Sequence, residues 1–133
     1  MSDTDVRDSI LLSTKQLLGL EPEELAFDTD IIFHINSVFS TLYQLGVGPT
    51  KPFSIADETA KWSDFIQRDD IETVKSYMYL KVRLLFDPPS TTTMYEAVDK
   101  QTKELEWRLN AAVDYDMDGG DDADDSVSDG DGE

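Results

Sequence analysis

The sequence predicts a mainly α-helical fold: a small four-helix domain over residues 1–113, followed by an acidic tail over residues 114–133. Three observations predict it. Four segments repeat apolar residues at the spacing of a helix face, and glycine or proline separates these segments. From residue 114 onward the composition changes to Asp, Gly and Ser, which cannot bury enough apolar surface to order themselves. We therefore expect one domain with a core and a disordered tail.

The first helix is predicted from about Asp5 to Leu18. Ser2 or Thr4 can cap its N-terminus, and Gly19 is a suitable C-terminal residue. The second helix is predicted from Thr29 to Leu45.

Asp28 or Asp30 is expected to cap this second helix, and Gly46 to end it. The connector that follows contains two short apolar pieces, FSIA at residues 53–56 and WSDFI at residues 62–66. Periodicity cannot assign pieces this short. A β-hairpin and a long extended loop both fit the connector.

The third helix is predicted to begin after Asp69, which forms a capping-box spacing with Glu72, and to end at Asp87-Pro88-Pro89. It carries two apolar stripes, so it must be buried on two sides. Its second side is covered either by its own chain or by another subunit.

The fourth helix is predicted to begin at Thr93, because Thr93 and Glu96 have the spacing of a capping box. Three acid–base pairs lie four residues apart along it, each with the acid first, which is the favourable direction. These pairs are Glu96/Lys100, Asp99/Lys103 and Glu104/Arg108. They predict a well-formed helix with a solvated face.

The charge is strongly acidic and excludes several classes of function. The chain has a formal net charge of −18, and ten of its 29 acidic residues lie in the tail, so residues 1–113 carry about −8. Such a body should not bind nucleic acid or anionic membranes, because both require clustered Lys and Arg. An acidic wall would instead suit a conduit that DNA passes without sticking.

No membrane segment, signal peptide or disulfide framework is predicted. The N-terminus lacks a basic region followed by an apolar one, and the chain has no cysteine. Residues 31–50 contain no Asp, Glu, Lys or Arg, but they include several polar residues, glycine and proline, so a membrane span is not expected.

No catalytic residue, cofactor or metal site is predicted, and we do not expect an enzyme. His34 is the sole histidine and has no cysteine with which to share a zinc ion. The tail segment Asp114–Gly119 matches the opening of an EF-hand calcium loop. Asp125 occupies the position at which that loop uses a bidentate Glu. We therefore expect that the match arises by chance from the acidic composition of the tail.

Five aromatic residues are candidates either for the core or for a subunit interface, where Trp and Tyr are enriched. They are Trp62, Phe65, Tyr77, Tyr79 and Trp107. The sequence leaves both interpretations open.

Several stretches together resemble the head–tail connector proteins of tailed bacteriophages. They are WSDFI (Trp62–Ile66), VKSYMYLKVRLLFDPP (Val74–Pro89), KELEWRLN (Lys103–Asn110) and DTDIIFHINSVFSTLYQLGVGP (Asp28–Pro49). The resemblance covers most of residues 1–113 and does not include the acidic tail.

The resemblance implies a structural virion protein that forms a ring, typically twelvefold, between the portal and the tail. Its partners would be the portal protein, further copies of itself, and the next tail-side connector or tail-terminator protein. DNA would pass through the channel without specific binding. The protein would lie in the neck of the virion, and in the host cytoplasm during assembly.

The resemblance and the aromatic content together give two sets of candidate contact residues. The candidate subunit or ring contacts are Phe53, Ile55, Trp62, Phe65, Tyr77 and Tyr79. The candidate portal-docking residues, near the end of the fourth helix, are Glu104, Trp107 and Arg108.

Two other functions remain open from the sequence. One is an acidic-tailed calcium-binding or sensor protein. The other is a mimic of DNA charge that inhibits a DNA-binding enzyme, although this would need acids ordered on a folded face.

Overall fold

The computed structural model describes residues 6–66 and 71–122, with side chains described as far as Val113. These residues form five helices, and the described ranges contain no β-strand, so the prediction of a mainly α-helical fold is confirmed. The helices are α1 (Ile10–Leu17), α2 (Asp28–Gln44), α3 (Trp62–Phe65), α4 (Ile71–Phe86) and α5 (Thr92–Asp122). Four of them correspond to the predicted helices, and the single turn α3 is additional.

Helix α4 is the centre of the domain. It packs against α5, α2 and α1, and Val74, Tyr77, Met78 and Val82 are completely buried. The predicted double apolar face is therefore largely covered within this one chain, and Leu85 near the end of the helix stays 49% exposed. The alternative that another subunit covers the second side is not needed to explain the two stripes.

Helix α1 begins later than predicted, at Ile10. Its N-cap is Ser9, whose Oγ accepts a hydrogen bond from Leu12 N–H at 3.2 Å. The predicted start at Asp5 is wrong, because the chain before Ile10 pairs with the connector instead: Trp62 N–H donates to Asp8 O at 2.8 Å. The proposed caps Ser2 and Thr4 lie outside the described residues.

Helix α2 matches its prediction closely, but its capping does not. The N-cap residue is Phe27, which makes no side-chain capping bond. Asp28 is the first helical residue, and its carboxylate is engaged by Lys15. Neither Asp28 nor Asp30 is therefore the N-cap.

The connector between α2 and α3 is an extended loop. An isolated antiparallel bridge between Ser9 and Lys61 is present, but no strand forms within residues 46–61. Of the two alternatives, the described residues thus show the loop rather than the hairpin.

Helices α4 and α5 are joined by the short turn that contains Pro88 and Pro89. Thr91 Oγ1 accepts a hydrogen bond from Met94 N–H at 3.2 Å, so Thr91 takes the capping role predicted for Thr93. The capping box predicted at Asp69 lies outside the described residues.

Helix α5 continues to Asp122, past the predicted domain boundary at residue 113. Extending an existing helix adds one hydrogen bond for each residue fixed, which is easier than starting a new one. Residues 123–133 of the predicted tail lie outside the described part of the chain.

Candidate assembly surfaces

An aromatic cluster fixes the connector against α2 and α3. Phe39 of α2 is central: its ring centroid lies 5.0 Å from that of Phe53, 4.7 Å from that of Phe65 and 6.1 Å from that of Trp62. Tilted and edge-on geometries at these distances are favourable for aromatic pairs. The connector is therefore part of the core.

Two further features set the path of the connector. Asn36 forms a pair of hydrogen bonds with the backbone of Ile55: its Oδ1 accepts from Ile55 N–H at 2.8 Å, and its Nδ2 donates to Ile55 O at 3.0 Å. Gly48 has φ +102°, and a Cβ at this position would lie 2.5 Å from the Phe65 ring. Only glycine fits where the loop crosses Phe65.

The six candidate subunit contacts divide into two groups by exposure. Ile55, Trp62, Phe65 and Tyr77 are buried in the core of the single chain. Phe53 and Tyr79 are half-buried and keep surface that a partner could reach. The structure of one chain does not test subunit contacts, so this set stays a prediction, with Phe53 and Tyr79 its accessible members.

Tyr77 joins α4 to α5 through a polar contact that the sequence did not reveal. Its hydroxyl donates to Glu106 Oε2 at 2.6 Å, and Lys81 Nζ lies 3.7 Å from the same oxygen. Burial raises the pKa of Tyr77 well above its ordinary value, and the hydrogen bond to Glu106 and its negative charge raise it further. Folding therefore favours the neutral form of Tyr77.

A buried lysine, also missed by sequence reasoning, organises the loop between α1 and α2. Lys15 Nζ donates to Glu24 O at 2.6 Å and to Pro22 O at 3.2 Å, and it lies 2.8 Å from Asp28 Oδ1. Lysine is almost never fully buried unless it is paired. One signal was available, because Lys15 follows the buried Leu11 by four residues and thus shares its helix face.

The outer face of α5 gathers the three candidate portal-docking residues within one helical turn. Trp107 is 71% exposed, and Arg108 donates to Glu104 Oε2 at 2.8 Å. The pair Asp99/Lys103 also forms, at 3.0 Å, so the described side chains form two of the three predicted acid–base pairs. The structure thus leaves these residues accessible, while docking itself stays a prediction.

The outer face of α2 is a second accessible surface. Phe33 is 70% exposed, with the ring of His34 edge-on beside it at 5.7 Å between centroids. His34 is half-buried. Sequence reasoning used the uncharged run containing this face only to weigh a membrane span, and so overlooked it as a surface.

Within the described residues there is neither a cluster of three metal-ligating side chains nor a membrane-spanning helix. No group of three or more His, Asp or Glu side chains within them could hold a metal ion. In the same part of the chain, no helix has both the length and the apolar content to cross a bilayer. The backbone of the EF-hand-like segment Asp114–Gly119 is helical, whereas a calcium loop turns sharply at its glycine.

The described domain combines a packed aromatic core with exposed helix faces. Residues 10–116 match the family model described as phage connector protein. Because the match spans most of the chain, the protein belongs to the phage connector family, and the resemblance seen in the sequence is confirmed. No curated protein and no solved structure matches the chain.

Membership gives the protein a connector-type structural role in the phage particle.

Proposed function

We propose that the protein assembles into a ring between the portal and the tail, where it extends the channel through which DNA passes. The observation that carries this proposal is the family match over residues 10–116. A ring of twelve copies is the arrangement that the family resemblance suggests. The protein acts in the neck of the virion, without catalysis, after assembling in the host cytoplasm.

The charge of the chain supports a conduit. A net charge of −18 leaves little attraction for the phosphate backbone of DNA. A wall that carries the same sign of charge as its cargo lets the cargo slide without binding. The ring would therefore transmit DNA rather than hold it.

The exposed face of α5 is our proposed portal-docking surface. Trp107 provides a large accessible ring, and the Glu104/Arg108 pair flanks it with both signs of charge. An aromatic anchor beside a polar rim is typical of the centre of a protein interface. The opposite end of the ring would receive the next tail-side connector or the tail-terminator protein.

Electron microscopy of purified particles tests the proposal directly. We expect density for a ring of this protein beneath the portal. A protein found only free in the infected cell, and never in particles, would contradict the proposed function.

A second experiment tests the portal surface. Trp107→Ala should weaken binding to the purified portal, whereas Gln16→Ala, at an exposed position on α1, should not. Equal binding by both variants would show that the portal docks elsewhere.

A further inference from the structure

Beyond Asp30 in its first turn, the outer face of α2 is free of charge in a protein that is otherwise densely charged. Charged residues make up 30% of the chain, yet residues 31–50 contain no Asp, Glu, Lys or Arg. Four exposed side chains lie along one line of this helix at spacings of three and four residues: Phe33, Ser37, Ser40 and Gln44. We call these four residues the neutral face.

The fold does not need the neutral face for its own core. The opposite side of α2 supplies the buried residues Ile31, Ile35 and Leu42, which are completely covered. Phe33 points away from them and is 70% exposed, so its ring contributes little to folding. A large exposed aromatic residue among small polar ones has the composition of an interface anchor with a polar surround.

The neutral face continues beyond the helix. The exposed residues Gly46, Pro49 and Thr50 extend the uncharged surface along the connector, and Tyr43, 43% exposed, lies at its edge. The uncharged surface thus extends past the end of α2, and the charged residues Asp30 and Lys51 bound it.

The missing charge indicates which kind of partner fits. A basic partner would be attracted by acidic surface and would gain nothing from a neutral one. A partner that is also acidic is repelled where two acidic surfaces meet. This repulsion is weakest at a surface that carries no charge. A second copy of this chain carries the same charge of −18.

We propose that the neutral face of α2 is the surface on which a second copy of this chain docks, with Phe33 as its anchor. This inference rests on the proposed function, because it assumes that copies of the protein assemble. It adds the particular surface and the reason that this acidic chain can associate with itself.

Site-specific photo-crosslinking tests the inference. Because the chain contains no cysteine, S40C introduces a single thiol on the neutral face that can carry a benzophenone maleimide and leaves the anchor Phe33 in place. In purified particles containing the full-length variant, illumination should yield a covalent dimer of this protein, with the label joined to a peptide of the second copy. E72C is the matched control, since Glu72 is an exposed side chain at the start of α4.

The crosslinked product decides the partner. A crosslink from S40C to the portal or to another virion protein would overturn the inference. A ring seen in the particles without a self-crosslink from S40C would also overturn it, while leaving the proposed function intact. Particles without any ring would instead contradict the proposed function. In that case the identity of the crosslinked peptide would still show whether the neutral face contacts a second copy or another protein.

A charge placed in the neutral face provides an independent test. S37D adds a negative charge beside Phe33, and S76D makes the same substitution at an exposed position of α4. We expect S37D to weaken self-association of the purified protein about tenfold, equivalent to about 1.4 kcal/mol, and S76D to change it little. Equal effects of the two substitutions would contradict the inference.

Discussion

The ammonium group of Lys15 lies 2.8 Å from Asp28 Oδ1 and joins the last turn of α1 to the first residue of α2. The lysine side chain is completely buried, whereas that of Asp28 is 23% exposed. The two backbone carbonyls that also accept from Lys15, those of Pro22 and Glu24, belong to the loop between the helices. One cation thus fixes the whole α1–α2 connection.

Replacing this lysine should destabilise the domain strongly. Lys15→Met keeps the length of the side chain but leaves Asp28 without its counter-ion and two carbonyls without their donor. Removing one member of a buried ion pair costs about 3–5 kcal/mol, so we expect a loss in that range. Urea unfolding followed by circular dichroism measures it.

Two comparison variants show whether the lost contact is the cause. Lys103→Met removes an exposed lysine paired with Asp99, and it should leave the unfolding midpoint unchanged. Asp28→Asn should cost less than Lys15→Met, because the two carbonyl acceptors remain. A loss below about 1 kcal/mol for Lys15→Met, the size of one ordinary hydrogen bond, would contradict this account.

Alkaline pH should destabilise the protein through Tyr77. Its pKa is raised in the folded state, so folding favours the neutral phenol. The stabilisation is complete below the ordinary tyrosine pKa of about 10 and is lost progressively as the pH rises above it. In the folded protein, Tyr77 should therefore resist ionisation.

Absorbance of tyrosinate during a pH titration measures this effect. In urea all five tyrosines should ionise near their ordinary pKa, and Tyr77→Phe should remove the resistant group from the folded titration. The same variant tests the bond to Glu106, whose loss should cost about 1–3 kcal/mol because the acceptor is charged. If every tyrosine of the folded wild type ionised near pH 10, the buried hydroxyl would not behave as described.

The sequence was sufficient for α2 and α4 because the signals of these helices are local. The apolar spacing of α2 and α4 predicted both helices to within a few residues, and the double proline after Phe86 predicted the end of α4. The start of α1 was missed because it depends on pairing between Asp8 and Trp62, which are far apart in sequence. Capping rules consider neighbouring residues alone.

The candidate surfaces were less predictable for a similar reason. A large aromatic residue suggests core and interface equally well, and its neighbours in space decide between them. The structure buries Trp62 and Tyr77 but exposes Trp107 and Phe33. Lys15 is the opposite case. A charged side chain ordinarily lies in solvent, but this one is buried because three oxygen atoms surround its ammonium group.

Gly48 should be the least replaceable glycine among those with a positive φ. Gly48→Ala adds a Cβ at 2.5 Å from the Phe65 ring and also forces alanine into a left-handed conformation. Such strain costs about 1–3 kcal/mol, before any displacement of the ring. Gly19→Ala is the matched control, because it has φ +86° but no atom within 4 Å of the new Cβ.

Thermal unfolding of both variants separates the two effects. Gly19→Ala reports the backbone strain alone, and the additional loss in Gly48→Ala reports the contact with Phe65. Similar midpoints for the two variants would show that the connector moves away from Phe65 at little cost.

Self-association should become stronger as salt is added. Copies that each carry a charge of −18 repel one another, and salt screens this repulsion over a Debye length of about 10 Å at ~0.1 M. Sedimentation of the purified protein from ~0.01 M to ~1 M salt should show a rising fraction of assembled species.

Deleting residues 114–133 removes ten acidic residues and leaves a charge of about −8, so the truncated protein should assemble at lower salt. Assembly that weakened steadily with salt would instead mean that attractive charge pairs dominate the contact between copies, which is incompatible with docking through the neutral face of α2.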